Sequence, residues 1–317
     1  MTAAGIAGAS GGALAATAQS SSLTIVNSSL PFADVVINPA STFAYFTVPT
    51  KNEVAVLNLQ TDTFGKPIPV GSDPEGIDIG SGGKTLWVAD SGGQTISRVT
   101  IATGKVKTIT TPAGTLDDTP YSIVVLDNNT ALYSTTFEGS GFGANVYSLN
   151  LTTDVSTEVS SFGLGGQVTE VTQMSRSWNH AVAGAVLGDD SGGPFDIYTA
   201  ATGNVVSGSL NNFISYGSFN KAGTTFLVDG SYVIDAATGT MLGTISDDCV
   251  GAVLNRSGAR GYCLESGALV DLNVSRFLTG ASTTLPTGVT GTGELAISPN
   301  GDLLVGITSA GALIDSL

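Results

Sequence analysis

Histidine is almost missing from this sequence: His180 is the only one in 317 residues. Zinc sites built from several imidazoles are therefore excluded. Any Ser-His-Asp arrangement would have to use that single ring. Basic residues are scarce too. Lys and Arg together number 11 against 26 Asp and Glu, for a formal net charge of −15. Such a surface repels phosphate backbones and anionic lipid, so neither nucleic acid nor a membrane surface is expected as a partner. Charged residues make up only 12% of the chain, and the i,i+4 charge pairs of exposed helices are absent. No apolar run is long enough to span a bilayer. No G-x-x-x-x-G-K-[ST] phosphate loop occurs. With two cysteines, Cys249 and Cys263, no Cys₄ metal site can form.

Glycine is abundant, at 42 residues, and short Val/Ile/Thr/Tyr runs recur along the whole chain. Many tight turns between short strands give that balance. A spacing of eight residues orders the runs. An apolar residue, a Gly/Asn/Ser/Asp-rich turn and a second apolar residue recur as Ile37/Tyr45, Ile79/Trp87, Val125/Tyr133, Met174/Val182, Phe219/Leu227, Leu254/Tyr262 and Ile297/Val305. Successive pairs begin 35 to 49 residues apart. A hairpin returning at that period predicts an all-β, seven-bladed β-propeller of four-stranded antiparallel blades.

One unit shows the order of strands within a blade. Strand a covers 76–79, strand b 85–89, strand c 95–101 and strand d 105–110, with Gly-rich turns between them. The c strands align as Leu57–Asp62, Val99–Gly104, Leu149–Asp154, Tyr198–Gly203 and Ile234–Gly239. The last unit stops at Leu317 after its strand c. The run Leu23-Thr24-Ile25-Val26 precedes the first blade and has no partner of its own. It is expected to complete blade 7 as its outer strand and to close the ring, since an open edge of backbone groups is a liability.

The lines Ser298-Pro299-Asn300-Gly301 and Ile234-Asp235-Ala236-Ala237-Thr238-Gly239 resemble the YVTN family of propeller repeats, which is related to lactonase and NHL-like rings. The second strands, such as Trp87-Val88-Ala89-Asp90, match that pattern only loosely. The resemblance covers residues 32–317 and implies the fold rather than a reaction.

Residues 1–19 form a leader of small residues, ending near Ala16-Thr17-Ala18, before a single domain at 20–317. The leader resembles the downstream part of a bacterial twin-arginine signal peptide, although it lacks the basic segment. Export to the cell envelope or the exterior is the implied location. Cys249 and Cys263 flank one hairpin and suit either a disulfide in such a compartment or two reduced, buried thiols, since the blade alignment sets them about three positions off direct opposition.

In a propeller, the loops leading into strand a and those joining b to c build the mouth. The residues leading into strand a are Asp34, Glu75, Tyr121, Glu170, Tyr216, Asp248 and Glu294, an acidic ring with two aromatics. It suits a cation, an amine or a sugar stacked on tyrosine. Two b–c loops read as long, 134–145 and 184–195. The second carries Asp189, Asp190 and, just beyond, Asp196, a candidate Ca²⁺ set that matches no EF-hand spacing.

The run Gly188–Pro194 looks like a serine-protease nucleophile segment, but the alignment sets His180 beside an a–b turn on the opposite face. A second copy, Asp90-Ser91-Gly92-Gly93, fills the same place in blade 2, so the motif is a turn. The same alignment sends Arg176 and Arg256 to the a–b turn face. The expected function is a monomeric, non-catalytic binding module working through the mouth, with an unidentified ligand or protein as partner. The alternative is a lactonase-like hydrolase or lyase using mouth carboxylates with a divalent cation. Ca²⁺ or another divalent ion is the only cofactor these residues suggest.

Overall fold

The structure is a computed structural model. It describes residues 23–112, 119–136, 142–163, 168–169, 171–188 and 190–317. The leader at 1–19, Glu170 and Asp189 lie outside the described residues.

The c–d turns show how sequence dictates shape here. The sixth residue of the five aligned lines is Asp62, Gly104, Asp154, Gly203 or Gly239, and each has φ between 52° and 71°. Only Gly, Asp and Asn adopt that left-handed conformation cheaply. In the last four lines its N–H donates back four residues at 2.8–2.9 Å, as from Gly104 to the Thr100 carbonyl. Where the line carries Asn58, Asn150 or Asp235, the side chain accepts a further backbone N–H two residues on, at 2.8–3.0 Å. These local bonds turn strand c into strand d.

Among the described residues, seven antiparallel blade sheets result, beside one two-stranded sheet, and the a strands of successive blades meet one another at the centre. In five hairpins the directly opposed residues are seven apart, as in Ile37 with Ala44, Ile79 with Leu86 and Ile297 with Leu304. The eight-residue pairs are therefore diagonal neighbours. Blade 4 differs. Its seven-residue step runs from Arg176 to Ala183, two positions beyond the alignment on Met174. That shift moves Arg176 out of the turn and makes it the last residue of strand a, Thr172–Arg176. It also lengthens strand b to Val182–Leu187, so that strand c starts at Pro194 and the b–c connection shrinks to 188–193. The b–c connection of blade 3 holds a short strand, Phe142–Ala144, that pairs with Val168–Thr169.

The cores lie between blades. Side chains alternate across each sheet, and both faces are covered. Tyr45 and Val54 pack against blade 2, whereas Ala44, Phe46 and Ala55 pack against blade 7. Seven apolar clusters fill the seven junctions. This is why the b strands Phe43–Val48 and Thr85–Asp90 read as nearly continuous apolar runs.

The ring closes as the sequence predicts. Strand Thr24–Asn27 pairs with Gly311–Ser316 of blade 7, Thr24 opposite Ile314 and Asn27 opposite Gly311. Val26 joins the cluster shared by blades 1 and 7, while Leu23 and Ile25 join that of blades 6 and 7. Gly311 has φ 129°, and a Cβ there would lie 2.3 Å from the Val26 carbonyl oxygen, so only glycine lets the strands meet.

Candidate functional site

The a strands turn one edge toward the central channel, and their backbone groups need partners. Side chains of the preceding blade supply many of them. Thr47, Ser91 and Ser134 donate from their hydroxyls to the carbonyls of Glu75, Pro120 and Thr172 at 2.6–2.7 Å. The Tyr216 hydroxyl donates to the Cys249 carbonyl at 2.9 Å. In the other direction, Asp34 accepts from Ile77 N–H (2.9 Å), Asp78 from Val125 (2.7 Å), Ser122 from Met174 (3.0 Å) and Ser218 from Leu254 (3.0 Å). The channel lining is thus also the seam between blades.

At the mouth, Asp34, Glu75, Tyr121, Gln173 and Glu294 enclose a narrow pocket with Ala33 and Gly76. Its volume is about 20 Å³, room for one water or one bare ion. Asp34 is anchored by Val35 N–H (2.6 Å) and Ile77 N–H. The Glu75 and Glu294 carboxylates have no hydrogen-bond or ion-pair partner among the described residues. Burial, then the charge of Glu294, hold the Asp34 carboxyl well above the usual range, against the pull of its two N–H donors. Burial, helped by Asp73, pushes Glu75 up to about 7. Burial alone pushes Glu294 up to about 7. The same field raises Tyr121, after the larger effect of its own burial. Three acids in so narrow a pocket favour either a proton or a cation.

Of the seven residues expected around the mouth, the structure brings four into this pocket: Asp34, Glu75, Tyr121 and Glu294. Tyr216 is 7% exposed and its hydroxyl is engaged, so it offers no ring face for stacking. Asp248 stands exposed on the loop before blade 6. Gln173 was missed. Its amide donates to the Tyr121 hydroxyl at 3.3 Å, and the two-residue shift in blade 4 is what brings it to the wall.

Asp190 and Asp196 do not form a common site. Asp190 accepts from Gly192 N–H at 2.6 Å within its own turn. Asp196 lies in strand c, 2% exposed, and takes the Ser207 hydroxyl (2.5 Å) and Gly163 N–H (2.6 Å). Asp90 plays a similar part in blade 2, accepting from Thr95, Ser97 and Gly71 at 2.9–3.1 Å. Burial raises its pKa to about 6.

Below the pocket, Arg176 ends strand a of blade 4 instead of sitting in the a–b turn, and it stays toward the a–b turn face. Its guanidinium reaches from blade 4 to Asp78 of blade 2 as a two-pronged ion pair, Nε at 2.6 Å and Nη2 at 2.7 Å. Asp78 lies two residues past Gly76, about 6–7 Å deeper along the strand. His180 is in the a–b turn, as expected. It is 8% exposed and its Nδ1 lies 2.6 Å from the Val125 carbonyl.

Cys249 and Cys263 form a disulfide, with Cα atoms 5.4 Å apart. Cys263 stands opposite Ala252 in the ladder, so the offset of three positions is real. The chain leading into strand a of blade 6 curves back to cover it. The Asp247 carboxylate lies within 4.8 Å of both sulfurs, an Asp/Cys group able to hold a metal ion. The sulfurs become ligands only when the disulfide opens.

Comparison with known proteins adds the fold alone. No family model matches the chain, and no curated protein matches it. Among solved structures it is similar to Kuenenia stuttgartiensis hydrazine synthase, with TM-score 0.70 and 13% identity over 97% of this chain and 99% of that one. It is also similar to the Cps50 (Swd1) β-propeller domain of Myceliophteria thermophila, with TM-score 0.69 and 12% identity over 93% and 99%. No helix among the described residues is long and apolar enough to cross a membrane.

Proposed function

We propose that this propeller is a non-catalytic binding module of YVTN-repeat type that works through the loop face around its channel. A single divalent cation, held by Asp34, Glu75 and Glu294, forms the base of that face. One observation carries the reading: three carboxylates from blades 1, 2 and 7 converge on a pocket of about 20 Å³, two of them unpartnered. The size decides against the amine and the sugar, and the oxygen-only donor set suits Ca²⁺ or Mg²⁺. A bound ion would offset the charge repulsion and present open coordination positions to a ligand on the loop face. Export is supported by the Cys249–Cys263 disulfide.

Titration calorimetry with CaCl₂ and MgCl₂ tests the site, beside melting curves with and without chelator. The expected result is one ion per chain and a melting temperature that rises with ion concentration. Both effects should disappear in Glu75→Gln/Glu294→Gln. Equal melting with ion and chelator sinks the reading. The hydrolase alternative draws on the same acids, since a carboxylate with pKa about 7 suits a general base. Ion-dependent lactone hydrolysis, lost in Glu75→Gln while ion binding persists, would favour that alternative.

A further inference from the structure

The channel has a second mouth on the a–b turn face, and its chemistry is the opposite of the first. A cavity of about 370 Å³ opens there, within the range of small-molecule sites. Ile37 and Pro39 of blade 1, Ile79 of blade 2 and Ile297 of blade 7 give it apolar walls. Blade 4 supplies most of the polar and aromatic side, Arg176, Trp178, Asn179 and His180, and Ser81 of blade 2 adds a hydroxyl; Ser81 and Asn179 are exposed, whereas His180 is buried. The acidic pocket and this cavity share no lining residue, and the ion pair with Asp78 offsets the guanidinium charge.

The polar inventory is short. A guanidinium has five N–H groups. In Arg176, Nε and Nη2 are taken by Asp78, Nη2 also by the Ile79 carbonyl (3.5 Å), and Nη1 once by the Ser177 carbonyl (3.2 Å). One Nη1 hydrogen is left. His180 faces a carbonyl at Nδ1, and a carbonyl only accepts, so Nδ1 carries the proton and Nε2 keeps a bare lone pair. Burial, with Arg176 nearby, lowers the pKa of the ring and keeps it neutral. Nε2 has no partner among the described residues, on a side chain more than nine-tenths buried. Beside the exposed Ser81 and Asn179, Arg176 and His180 therefore offer one donor and one acceptor with no net charge, next to the Trp178 indole.

We propose that this cavity binds a small neutral carboxamide on an apolar, preferably aromatic, body. The amide oxygen accepts from Arg176 Nη1, an amide N–H donates to His180 Nε2, and the body lies against Trp178 and the isoleucine wall. A carboxylate of the same shape fails twice. It has no proton to give Nε2, and it sets its charge near Asp78. A bare hydrocarbon leaves both polar groups unsatisfied, which costs affinity.

Calorimetry and saturation-transfer NMR on the full chain, with benzamide, benzoate and toluene as probes, test this. Benzamide should bind, with benzoate and toluene each at least tenfold weaker at pH 7.5. Trp178→Ala should weaken benzamide at least fivefold with an unchanged melting curve. Glu75→Gln/Glu294→Gln should leave benzamide binding intact, which separates this site from the cation pocket. No benzamide binding at millimolar concentration overturns the proposal, as does benzoate or toluene binding equally well. If Trp178→Ala shifts the melt, the ranking of the three probes on the unaltered chain decides alone.

Discussion

Arg176→Met should destabilise the ring by about 3–5 kcal/mol, the usual cost of removing one partner of a buried ion pair. The pair is well inside that class. The side chains of Arg176 and Asp78 are 15% and 7% exposed, and both contacts are 2.6–2.7 Å. Methionine preserves most of the apolar stem but leaves the Asp78 charge with only the backbone N–H groups of Ile79 and Val125. Unfolding entropy near about 2.1 cal/mol/K per residue gives roughly 0.6 kcal/mol/K for a ring of about 290 residues. The melting midpoint should then fall by about 5–8 °C in scanning calorimetry at pH 7.5. The double variant Asp78→Asn/Arg176→Met is the control. Asparagine retains an acceptor for Val125 N–H and carries no charge, so the double should recover most of the loss. A single variant melting within 1 °C of the parent refutes the reasoning, and so does a double no more stable than the single.

Deleting residues 20–31 removes the outer strand of blade 7 and four apolar side chains, Leu23, Ile25, Val26 and Leu30, from two junctions. The melting temperature should fall by more than 5 °C, and an unchanged melt counts against closure. Glu75 and Glu294 have native pKa values of about 7 against an ordinary 4.5. The native state thus retains protons that the unfolded chain has released, so stability should fall as pH rises from about 4.5 to 7 and level off above. Asp34 and Asp90 act with the same sign, while His180, lowered by burial, opposes them. Urea midpoints in chelator at pH 5.5 and 8 check this, and a higher midpoint at pH 8 would contradict it. The disulfide closes a short loop, with a sequence separation of 14. Cys249→Ser/Cys263→Ser should therefore cost about 3 kcal/mol, about 5 °C in the melt.

The hairpin periodicity made the ring legible because each blade repeats the same local turn chemistry. Asp62, Gly104 and Asp154 occupy one left-handed position, and the sequence advertises that position plainly. The acids at the mouth were legible for the same reason: Asp34 and Glu75 lie just before or at the start of an inner strand, and Glu294 lies at the irregularity within Gly291–Ile297, before its regular pairing resumes at Leu295. What was hidden is whatever depends on register within one blade. Blade 4 steps two residues further than its siblings, and that hid Gln173 and set Arg176 in the turn instead of at the end of strand a. The Asp78–Arg176 contact spans 98 residues and skips a blade, so no local pattern announces it. Asp196 and Asp90 looked like loop acids because strand b in blade 4 and the turn in blade 2 could not be bounded to a residue. The structure buries both under hydroxyl and amide donors.

The hydrogen bonds that run from each blade to the backbone of the next impose a division of labour on the channel wall. Asp34, Asp78, Ser122 and Ser218 hold a neighbouring inner strand in place, so changing them loosens a junction whatever happens to the ligand. Glu75 and Glu294 hold nothing among the described residues. A population of drifting sequences would therefore be free to change the charge of this mouth at two positions without cutting a bond between blades, while the four anchoring side chains stay fixed by the demands of the ring itself.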